Sequence, residues 1–495
     1  MTPAELRAAL HDVHRPLTFD GAVVPALPPE NLGDPSFRAD HGLKYAYVAG
    51  AMANGIGSVE IVQEMARAGM LGFFGAAGLS LNRIESAIDR LLGNPQGADA
   101  PRSGVGFNLI HSPQEPRHEA DTVALYLKRG VRLVEASAYL DLTPAVVRYR
   151  VSGLRRDPDG RVVAPNRIIA KVSRVEVATR FFSPPPEKIL RDLVATNQIT
   201  AEEARLAAEI PMAQDLTAEA DSGGHTDNRP LIALLPTLLA LRDRLQGQFG
   251  DRIRLRVGAA GGLATPQGVA GAFALGAAYV LTGSINQACV ESGSSDITRK
   301  MLAEAGQADV IMAPAADMFE MGVKVQVLKR GTLFPMRAAR LYDLYRNYPS
   351  LEAIPPAERE RLEKELFRAP VETIWKETEQ FWRGRDPKQL ERAGGDPKHK
   401  MALVFRWYLG MSSRWANAGE PSRQVDYQVW CGPAMGAFNE WTKGTFLAEP
   451  ANRRVAVVAR NLLHGAAVAT RAYILACQGV SVPPDATRIV PREDL

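Results

Sequence analysis

The stretch Gly258-Ala259-Ala260-Gly261-Gly262 and the later tripeptide Thr282-Gly283-Ser284 decide the predicted fold of this chain. Each of these glycine turns ends an apolar run of strand length and opens a segment with helical periodicity. Such turns present clustered backbone N–H groups to an anion, and a helix that starts behind them adds the positive end of its dipole. Thr265-Pro266, an N-cap residue followed by proline, marks such a start. The pair predicts a phosphate-binding site; glycines that serve only tight turns and packing are the alternative.

Strand-like apolar runs alternate with helical patterns between Lys44 and Asn286, which is typical of repeated βα units. The eight predicted strands are residues 45–49, 70–75, 105–110, 131–136, 168–172, 212–220, 253–258 and 279–282. Helical patterns between them include residues 58–68, 81–92, 116–129 and 230–245. A doubly wound open sheet usually carries its phosphate turn after the first strand, whereas these turns follow the seventh and eighth. The predicted fold class is therefore α/β, a (β/α)8 TIM barrel with a helical C-terminal domain.

The sequence predicts three regions. Residues 1–43 form an N-terminal extension, residues 44–288 the barrel, and residues 289–495 a helical lid and C-terminal domain. Within the barrel, a hairpin is predicted around Asp157-Pro158-Asp159-Gly160 and a short helix behind the capping box that runs from Thr200 to Glu203. Beyond the barrel, residues 350–400 are heavily charged and residues 455–477 form an apolar helical pattern.

The composition of the chain disfavours a nucleic-acid-binding, a disulfide-rich or a membrane-spanning protein. The 59 Lys and Arg residues against 55 Asp and Glu give a net charge of +4, a balance that does not predict nucleic-acid binding. The cysteines Cys289, Cys431 and Cys477 are odd in number and widely spaced, so neither a disulfide framework nor a metal site is predicted. No long apolar run and no signal-like N-terminus are present in the sequence, so we expect no membrane span and a cytoplasmic location.

His225 is the first candidate for proton chemistry. It follows Gly223-Gly224, so its backbone is expected to approach a bound ring system closely. The pKa of a free imidazole lies near neutrality, which lets the side chain give or take a proton. A merely solvated loop histidine is the alternative.

Three more polar or soft residues lie near the predicted strand ends. Lys171 ends the fifth strand, where its amine would neutralise negative charge on a ligand; a salt bridge with Glu135 or Asp221 is the alternative. Asn108 in the third strand is suited to hydrogen-bond a heterocycle edge or to cap the next loop. Met52 follows the first strand and would place a soft side chain against a flat ring, although packing alone also explains it.

In these residues the chain resembles the flavin-dependent barrel family that includes nitronate monooxygenases and flavin-type enoyl-acyl-carrier-protein reductases. The shared signatures are Gly50-Ala51-Met52-Ala53, Phe107-Asn108-Leu109, Asp221-Ser222-Gly223-Gly224-His225, Ala260-Gly261-Gly262 and Thr282-Gly283-Ser284. It is more closely similar to the trans-acting enoyl reductases of polyunsaturated fatty acid and polyketide synthases, the PfaD-type proteins. That similarity extends through residues 315–325, 329–335 and 427–436, and covers nearly everything from Lys44 to Val482.

The resemblance implies FMN as the cofactor, NADPH as the hydride source and an acyl-carrier-protein-bound 2-enoyl thioester as the substrate; a homodimer is its family-level implication. Catalytic roles are implied for His225, the proton donor to the α-carbon after hydride reaches the β-carbon, and for Lys171. Bulk water is the alternative proton donor. The implied cofactor-binding residues are Ala51, Met52, Asn108, Lys171, Asp221, Gly223, Gly224, Gly261, Gly262, Gly283 and Ser284.

Two further features of the C-terminal region bear on substrate and partner. Five apolar residues are expected to shape an acyl tunnel, with core packing as the alternative: Met312, Met318, Phe319, Met321 and Phe334. A basic stretch is expected to meet the acidic face of carrier proteins, with a simply solvated face as the alternative: Lys324, Lys329, Arg330, Arg337 and Arg340.

Three other functions remain open on the sequence alone. The first is nitronate oxidation on the same barrel, with His225 as base. The second is a barrel-type nucleotide dehydrogenase, which needs a catalytic cysteine, and Cys289 is poorly placed for it. The third is a non-catalytic barrel that docks carrier proteins.

Overall fold

A closed barrel of eight parallel strands forms the centre of the protein in the computed structural model, which describes residues 2–93, 103–113 and 115–495. The strands are β1 (Tyr47–Ala49), β2 (Leu71–Phe74), β3 (Val105–Ile110), β4 (Leu133–Ser137), β5 (Arg167–Val172), β6 (Asp215–Glu219), β7 (Arg256–Ala260) and β8 (Val280–Thr282). Each pairs in parallel with the next, and β8 pairs with β1. The (β/α)8 barrel and all eight predicted strands are thereby confirmed.

Helices surround the barrel, and the four that the sequence predicts by range are confirmed at Val59–Arg67, Leu81–Leu92, Pro116–Arg129 and Leu231–Gln246. The helices that follow the strands are Val59–Arg67, Leu81–Leu92, Pro116–Arg129, Pro144–Val151, Val175–Phe181, Leu231–Gln246, Pro266–Ala274 and Ser284–Gln287, and a 3-10 turn lies at Gly250–Arg252. Two insertions are also confirmed. Strands Arg155–Arg156 and Val162–Val163 form the predicted hairpin, and Thr200 with Glu203 caps helix Ala201–Ala207, which follows helix Glu187–Ala195.

The apolar helix Val455–Cys477 packs on the outside of the barrel. A Cβ placed at Gly465 would lie 2.6 Å from Cγ of Pro266, so glycine permits a close approach to helix Pro266–Ala274. The chain's N-terminal elements join this layer, because Arg471 donates to the carbonyl oxygens of Asp12 (2.6 Å) and Ala9 (3.2 Å). These N-terminal elements are helix Pro3–His11, strands Leu17–Phe19 and Ala22–Val24 and the 3-10 turn Pro29–Asn31, and the C-terminal helix Pro484–Thr487 lies beside them. Helix Pro35–His41 contacts the barrel instead, where His41 Nε2 lies 3.0 Å from Oδ2 of Asp215. The two ends of the chain thus share the barrel's hydrophobic core.

A second hydrophobic core lies in the region between the barrel and this last long helix. The helices of this region are Asp296–Ala303, Phe334–Asn347, Pro356–Arg361, the π-helix Leu362–Phe367, Val371–Arg385, Lys388–Gly395, Pro397–Ala418 and Ala434–Thr442. The first and the last of them pack into the barrel's core instead. The 3-10 turns of this region are Gln307–Asp309, Phe319–Met321, Pro421–Asp426, Phe446–Ala448 and Pro450–Asn452. The sequence analysis did not predict its antiparallel strands Val310–Pro314 and Lys324–Leu328, to which the short strand Gly224–His225 adds. Among the described residues, no helix is both long and apolar enough to span a membrane.

The packing of the N-terminal helix on Val455–Cys477 predicts a sensitivity to acid. His464 is 7% exposed, lies 5.7 Å from the ring of His11, and its Nε2 has no hydrogen-bond partner among the described residues. Burial lowers the pKa of His464 from 6.5 to about 4. Since the folded protein binds this proton less readily than the unfolded chain, stability is full above pH 6.5 and falls as the pH drops towards 4.

The corresponding test compares the wild type with His464→Phe, which keeps an aromatic ring but does not titrate. Between pH 7 and pH 4.5, His464 is expected to contribute a loss of about 2 to 3 kcal/mol in the free energy of unfolding. Urea unfolding at the two pH values measures it. An equal acid loss in both proteins would contradict the role of His464.

Candidate active site

A cavity of about 770 Å³ lies at the carboxyl ends of the barrel strands. Loops that follow all eight strands line it, together with helices Val371–Arg385 and Pro397–Ala418. This is the face at which barrel enzymes place their active sites. Of the site residues predicted from sequence, those that line the cavity are Ala51, Met52, Asn108, Lys171, Gly223, Gly224, His225, Gly261, Gly262, Gly283 and Ser284.

The two glycine turns after β7 and β8 line the cavity side by side. Gly261 and Gly262 have φ angles of +89° and +73°, a backbone conformation that residues with a Cβ rarely adopt. A Cβ at Gly261 would lie 2.6 Å from the carbonyl carbon of Ala220, whereas a Cβ at Gly262 or Gly283 would have no atom within 4 Å. Gly261 is therefore required by close packing, and the other two glycines leave open space in the cavity.

Lys171 lies between two carboxylates at the end of β5. Its Nζ is 3.1 Å from Oε1 of Glu219 and 3.8 Å from Oε2 of Glu135. Of the two salt-bridge partners that the sequence offers for Lys171, Glu135 is confirmed, and Glu219 at the end of β6 takes the place expected of Asp221. Burial lowers the pKa of Lys171, yet the two carboxylates outweigh this effect and raise it. Lys171 is consequently a cation that lines the cavity.

Glu135 holds the loop after β1. It is fully buried, and burial raises its pKa to about 7 against the opposing charge of Lys171. Its Oε2 accepts a hydrogen bond from the backbone N–H of Ala51 at 3.0 Å. Asn108 Nδ2 donates to the Glu135 carbonyl (3.2 Å) and to Ser137 Oγ (3.0 Å), so β4 fixes the orientation of its amide.

His225 is held by a carboxylate from the second core region. Its backbone pairs with Val325, and its Nε2 lies 3.1 Å from Oδ1 of Asp317. Burial lowers the pKa of His225, but the charge and hydrogen bond of Asp317 more than offset this and raise it. The pKa of Asp317 is lowered, since His225 and hydrogen bonding outweigh the effect of its burial. The geometry therefore favours a protonated imidazole whose side chain is still 31% exposed.

Asp221 is a correction to the predicted site, because it is not among the residues that line the cavity. Its carboxylate accepts hydrogen bonds from Nδ2 of Asn228 (2.8 Å) and Nε2 of Gln326 (2.7 Å). Its N–H donates to the carbonyl of Arg229 at 2.9 Å. Asp221 therefore holds its loop against strand Lys324–Leu328 rather than facing a ligand.

The apolar wall of the cavity also differs from the sequence prediction. Of the five residues expected to shape a tunnel, only Met318 lines the cavity. Phe319 and Phe334 are fully buried in the second core, Met321 is 52% exposed, and Met312 lies outside the lining. The large apolar and aromatic residues that line the cavity in this region are Phe381, Trp382, Leu403, Trp407, Met411 and Trp430.

The basic stretch is only partly free to meet a partner. Arg337 pairs with the fully buried Asp426, which also accepts a hydrogen bond from Tyr408. Arg340 pairs with Glu358. These two arginines serve internal ion pairs, contrary to the prediction. The exposed cations of the stretch are Lys324, Lys329 and Arg330.

Close packing of a later segment completes the site. The backbone N–H of Gly432 donates to Oγ of Ser284 at 3.1 Å. A Cβ at Gly223 would lie 2.9 Å from the backbone nitrogen of Cys431. Residues 427–436 were recognised as a motif in the sequence but not as part of the site; the structure places them against both the β6 loop and the β8 turn.

Comparisons with known proteins agree with this geometry. The family profile described as "Nitronate monooxygenase" matches residues 154–347, and "[Acyl-carrier-protein] S-malonyltransferase, inserted helical domain" matches residues 348–427. The crystal structure of the enoyl reductase domain of MlnA, from the macrolactin biosynthesis cluster of Bacillus amyloliquefaciens, superposes with a TM-score of 0.83. It is 39% identical, and the match covers 91% of this chain and 100% of that domain.

Two curated relatives are longer than this chain. A polyunsaturated fatty acid synthase polypeptide of Thraustochytrium sp. is 49% identical over 421 residues, which cover 84% of this chain and 28% of that polypeptide. Polyketide biosynthesis protein PksE of Bacillus subtilis is 45% identical over 439 residues, which cover 89% of this chain and 56% of that protein. The chain thus corresponds to one portion of each. It belongs to the same family as the enoyl reductase domain of MlnA, and part of its barrel matches the nitronate monooxygenase profile.

Proposed function

We propose that this protein is an FMN-dependent enoyl reductase that acts in trans on carrier-protein-bound 2-enoyl thioesters and takes its hydride from NADPH. One observation carries the proposal. A single cavity contains the paired glycine turns, the cation Lys171 and the His225–Asp317 pair, in a chain 39% identical to the MlnA enoyl reductase domain. A homodimer stays a prediction.

The residues present fit FMN. Gly262 and Gly283 leave open space that is available to a phosphate, and any side chain at these positions would fill that space. Helix Pro266–Ala274, capped by Thr265, starts directly behind the β7 turn. In this proposal Gly261, Gly262, Gly283 and Ser284 hold the phosphate, and the ring is held by Ala51, Met52, Asn108, Lys171, Gly223 and Gly224. A bound flavin supplies the hydride chemistry that side chains lack.

Lys171 and His225 take the two electrostatic tasks of the reaction. Lys171 stays charged between Glu219 and Glu135, so it stabilises negative charge within the cavity. Asp317 raises the pKa of His225 and so favours its protonated form. Addition of hydride to the β-carbon places charge on the thioester oxygen, and His225 delivers the proton that completes saturation at the α-carbon.

Asp317→Asn is expected to shift the pH dependence of turnover. As an acid, His225 is active below its folded pKa, and activity falls as the pH rises through it. Loss of the Asp317 charge lowers that pKa, so the alkaline limb of kcat/KM moves to lower pH. Asp317→Glu, which keeps the charge, is the control. A limb at the same pH in Asp317→Asn would show that His225 does not set it.

The overall proposal is tested by the visible spectrum of the purified protein under anaerobic conditions. A yellow protein that NADPH bleaches and a short 2-enoyl thioester restores is the expected result. A bound flavin that no thioester reoxidises, with O₂ consumed in the presence of nitronate, would replace the proposal with nitronate oxidation. A colourless protein that binds no added FMN would replace it with a docking barrel.

The dehydrogenase alternative has no support at Cys289. This thiol is fully buried, donates to the carbonyl of Ile285 at 3.4 Å, and burial raises its pKa strongly. A thiolate nucleophile needs the opposite environment, with a lowered pKa and access to substrate. We therefore propose no covalent role for Cys289.

A further inference from the structure

Two arginines flank one aromatic ring in the wall of the cavity. Arg385 and Arg414 belong to helices Val371–Arg385 and Pro397–Ala418, and both line the cavity together with Phe381. Their guanidinium carbons lie 5.7 Å and 5.5 Å from the centre of the Phe381 ring. A ring at this distance attracts a cation weakly without neutralising its charge.

Positive charge exceeds negative charge at this place. Arg385 pairs with Glu115, whereas Arg414 has no carboxylate partner among the described residues. Partial desolvation by the cavity wall, then Arg385 and Arg83, lower the pKa of Arg414, although the residue is still exposed to solvent. Glu377, which also lines the cavity, accepts instead from Nε1 of Trp407 at 3.1 Å. Repulsion between neighbouring like charges destabilises the folded protein. Proteins typically keep such a cluster at a functional site, where a ligand of opposite charge offsets the repulsion.

The cluster lies away from the glycine turns. Arg83 is on the helix after β2, and Glu115 follows β3. Asn54, after β1, donates to Oγ of Ser413 at 2.9 Å, which fixes the residue beside Arg414 over this side of the barrel. The glycine turns follow β7 and β8, so the phosphate that they are proposed to hold is not the anion that faces Arg414.

We propose that Arg414 and Arg385 bind a phosphate ester of a reactant that enters the cavity. Guanidinium groups suit this ligand because their planar N–H donors match phosphate oxygens. The inference rests on the proposed function, in which two reactants carry such a group. One is the phosphopantetheine arm of the carrier protein, and the other is NADPH with its 2′-phosphate.

Equilibrium titration of the purified protein tests the site without turnover. The probes are 4′-phosphopantetheine against pantetheine, and 2′,5′-ADP against 5′-AMP. The proteins are the wild type, Arg414→Gln, Arg414→Lys and Arg191→Gln. Arg191 is a matched control because it is an exposed arginine, 68% accessible, on helix Glu187–Ala195 outside the cavity.

Arg414→Gln is expected to weaken binding of one phosphorylated probe about tenfold, since a charge-assisted hydrogen bond is lost. Binding of the paired probe that lacks this phosphate should stay unchanged. Arg191→Gln should keep the wild-type affinity, and Arg414→Lys, which keeps the charge but not the planar donors, should lose less affinity than Arg414→Gln. Selective loss for 4′-phosphopantetheine assigns the site to the carrier arm, and selective loss for 2′,5′-ADP assigns it to NADPH. No binding of either phosphorylated probe to the wild type, less than twofold change in Arg414→Gln, or equal loss for both members of a pair would overturn the site.

The site and the proposed function fail separately. Arg414-dependent phosphate binding in a protein that reduces no enoyl thioester refutes the function and keeps the site. If the protein reduces enoyl thioesters but its phosphate binding is unchanged in Arg414→Gln, only the proposed site is refuted.

Discussion

Replacement of His225 with alanine is expected to lower kcat for enoyl reduction by about 10²-fold, the lower end of what a positioned general acid contributes. The imidazole is held at 3.1 Å by Asp317 and lines the same cavity as Lys171. Alanine leaves no group there that can deliver a proton to the α-carbon. Steady-state reduction of a short 2-enoyl thioester measures the effect, with bound flavin quantified from the spectrum of each protein.

His14→Ala is the matched control for this experiment, because His14 is exposed in the N-terminal region and does not line the cavity. It should turn over like the wild type. If His225→Ala stays within about threefold of the wild type, a small change in barrier, bulk water is the proton donor.

Gly262→Val is expected to abolish FMN binding. The valine side chain would project into the open space beside the β7 turn, where we place the phosphate. A β-branched residue also resists the φ of +73° found there. Both effects act on the same turn, so the protein should purify without its yellow colour and without activity. Flavin fluorescence titration on the apoprotein measures the loss of affinity.

Gly160→Val separates the two causes. Gly160 has a φ of +76° and open space around it, but it lies in the distant hairpin. It should bear the same backbone strain and keep the flavin. Thermal unfolding of both apoproteins checks that each is folded, and a folded Gly262→Val protein that binds FMN as tightly as the wild type would place the phosphate elsewhere.

The sequence by itself determined the barrel and the places of its glycine turns. Apolar runs, helical periods and caps such as Ser58 and Thr265 are local signals, read within a few residues of where they act. Because barrel strands end on one face, the order of the strands was enough to bring Asn108, Lys171 and Gly262 to one cavity.

Only the tertiary structure decided which charges meet. Asp317 lies 92 positions from His225 in the chain, and Gln326 lies 105 positions from Asp221. Gln326 lies on strand Lys324–Leu328, which pairs with Gly224–His225, and Asp317 lies in the segment before that strand. No local sequence pattern predicts these pairings. The same holds for Arg337, which pairs with the buried Asp426, and for Arg414, which has no carboxylate partner among the residues that the structure describes. An arginine in a sequence shows its charge but not the carboxylate that will lie beside it, because that neighbour is set by the packing of segments far apart in the chain.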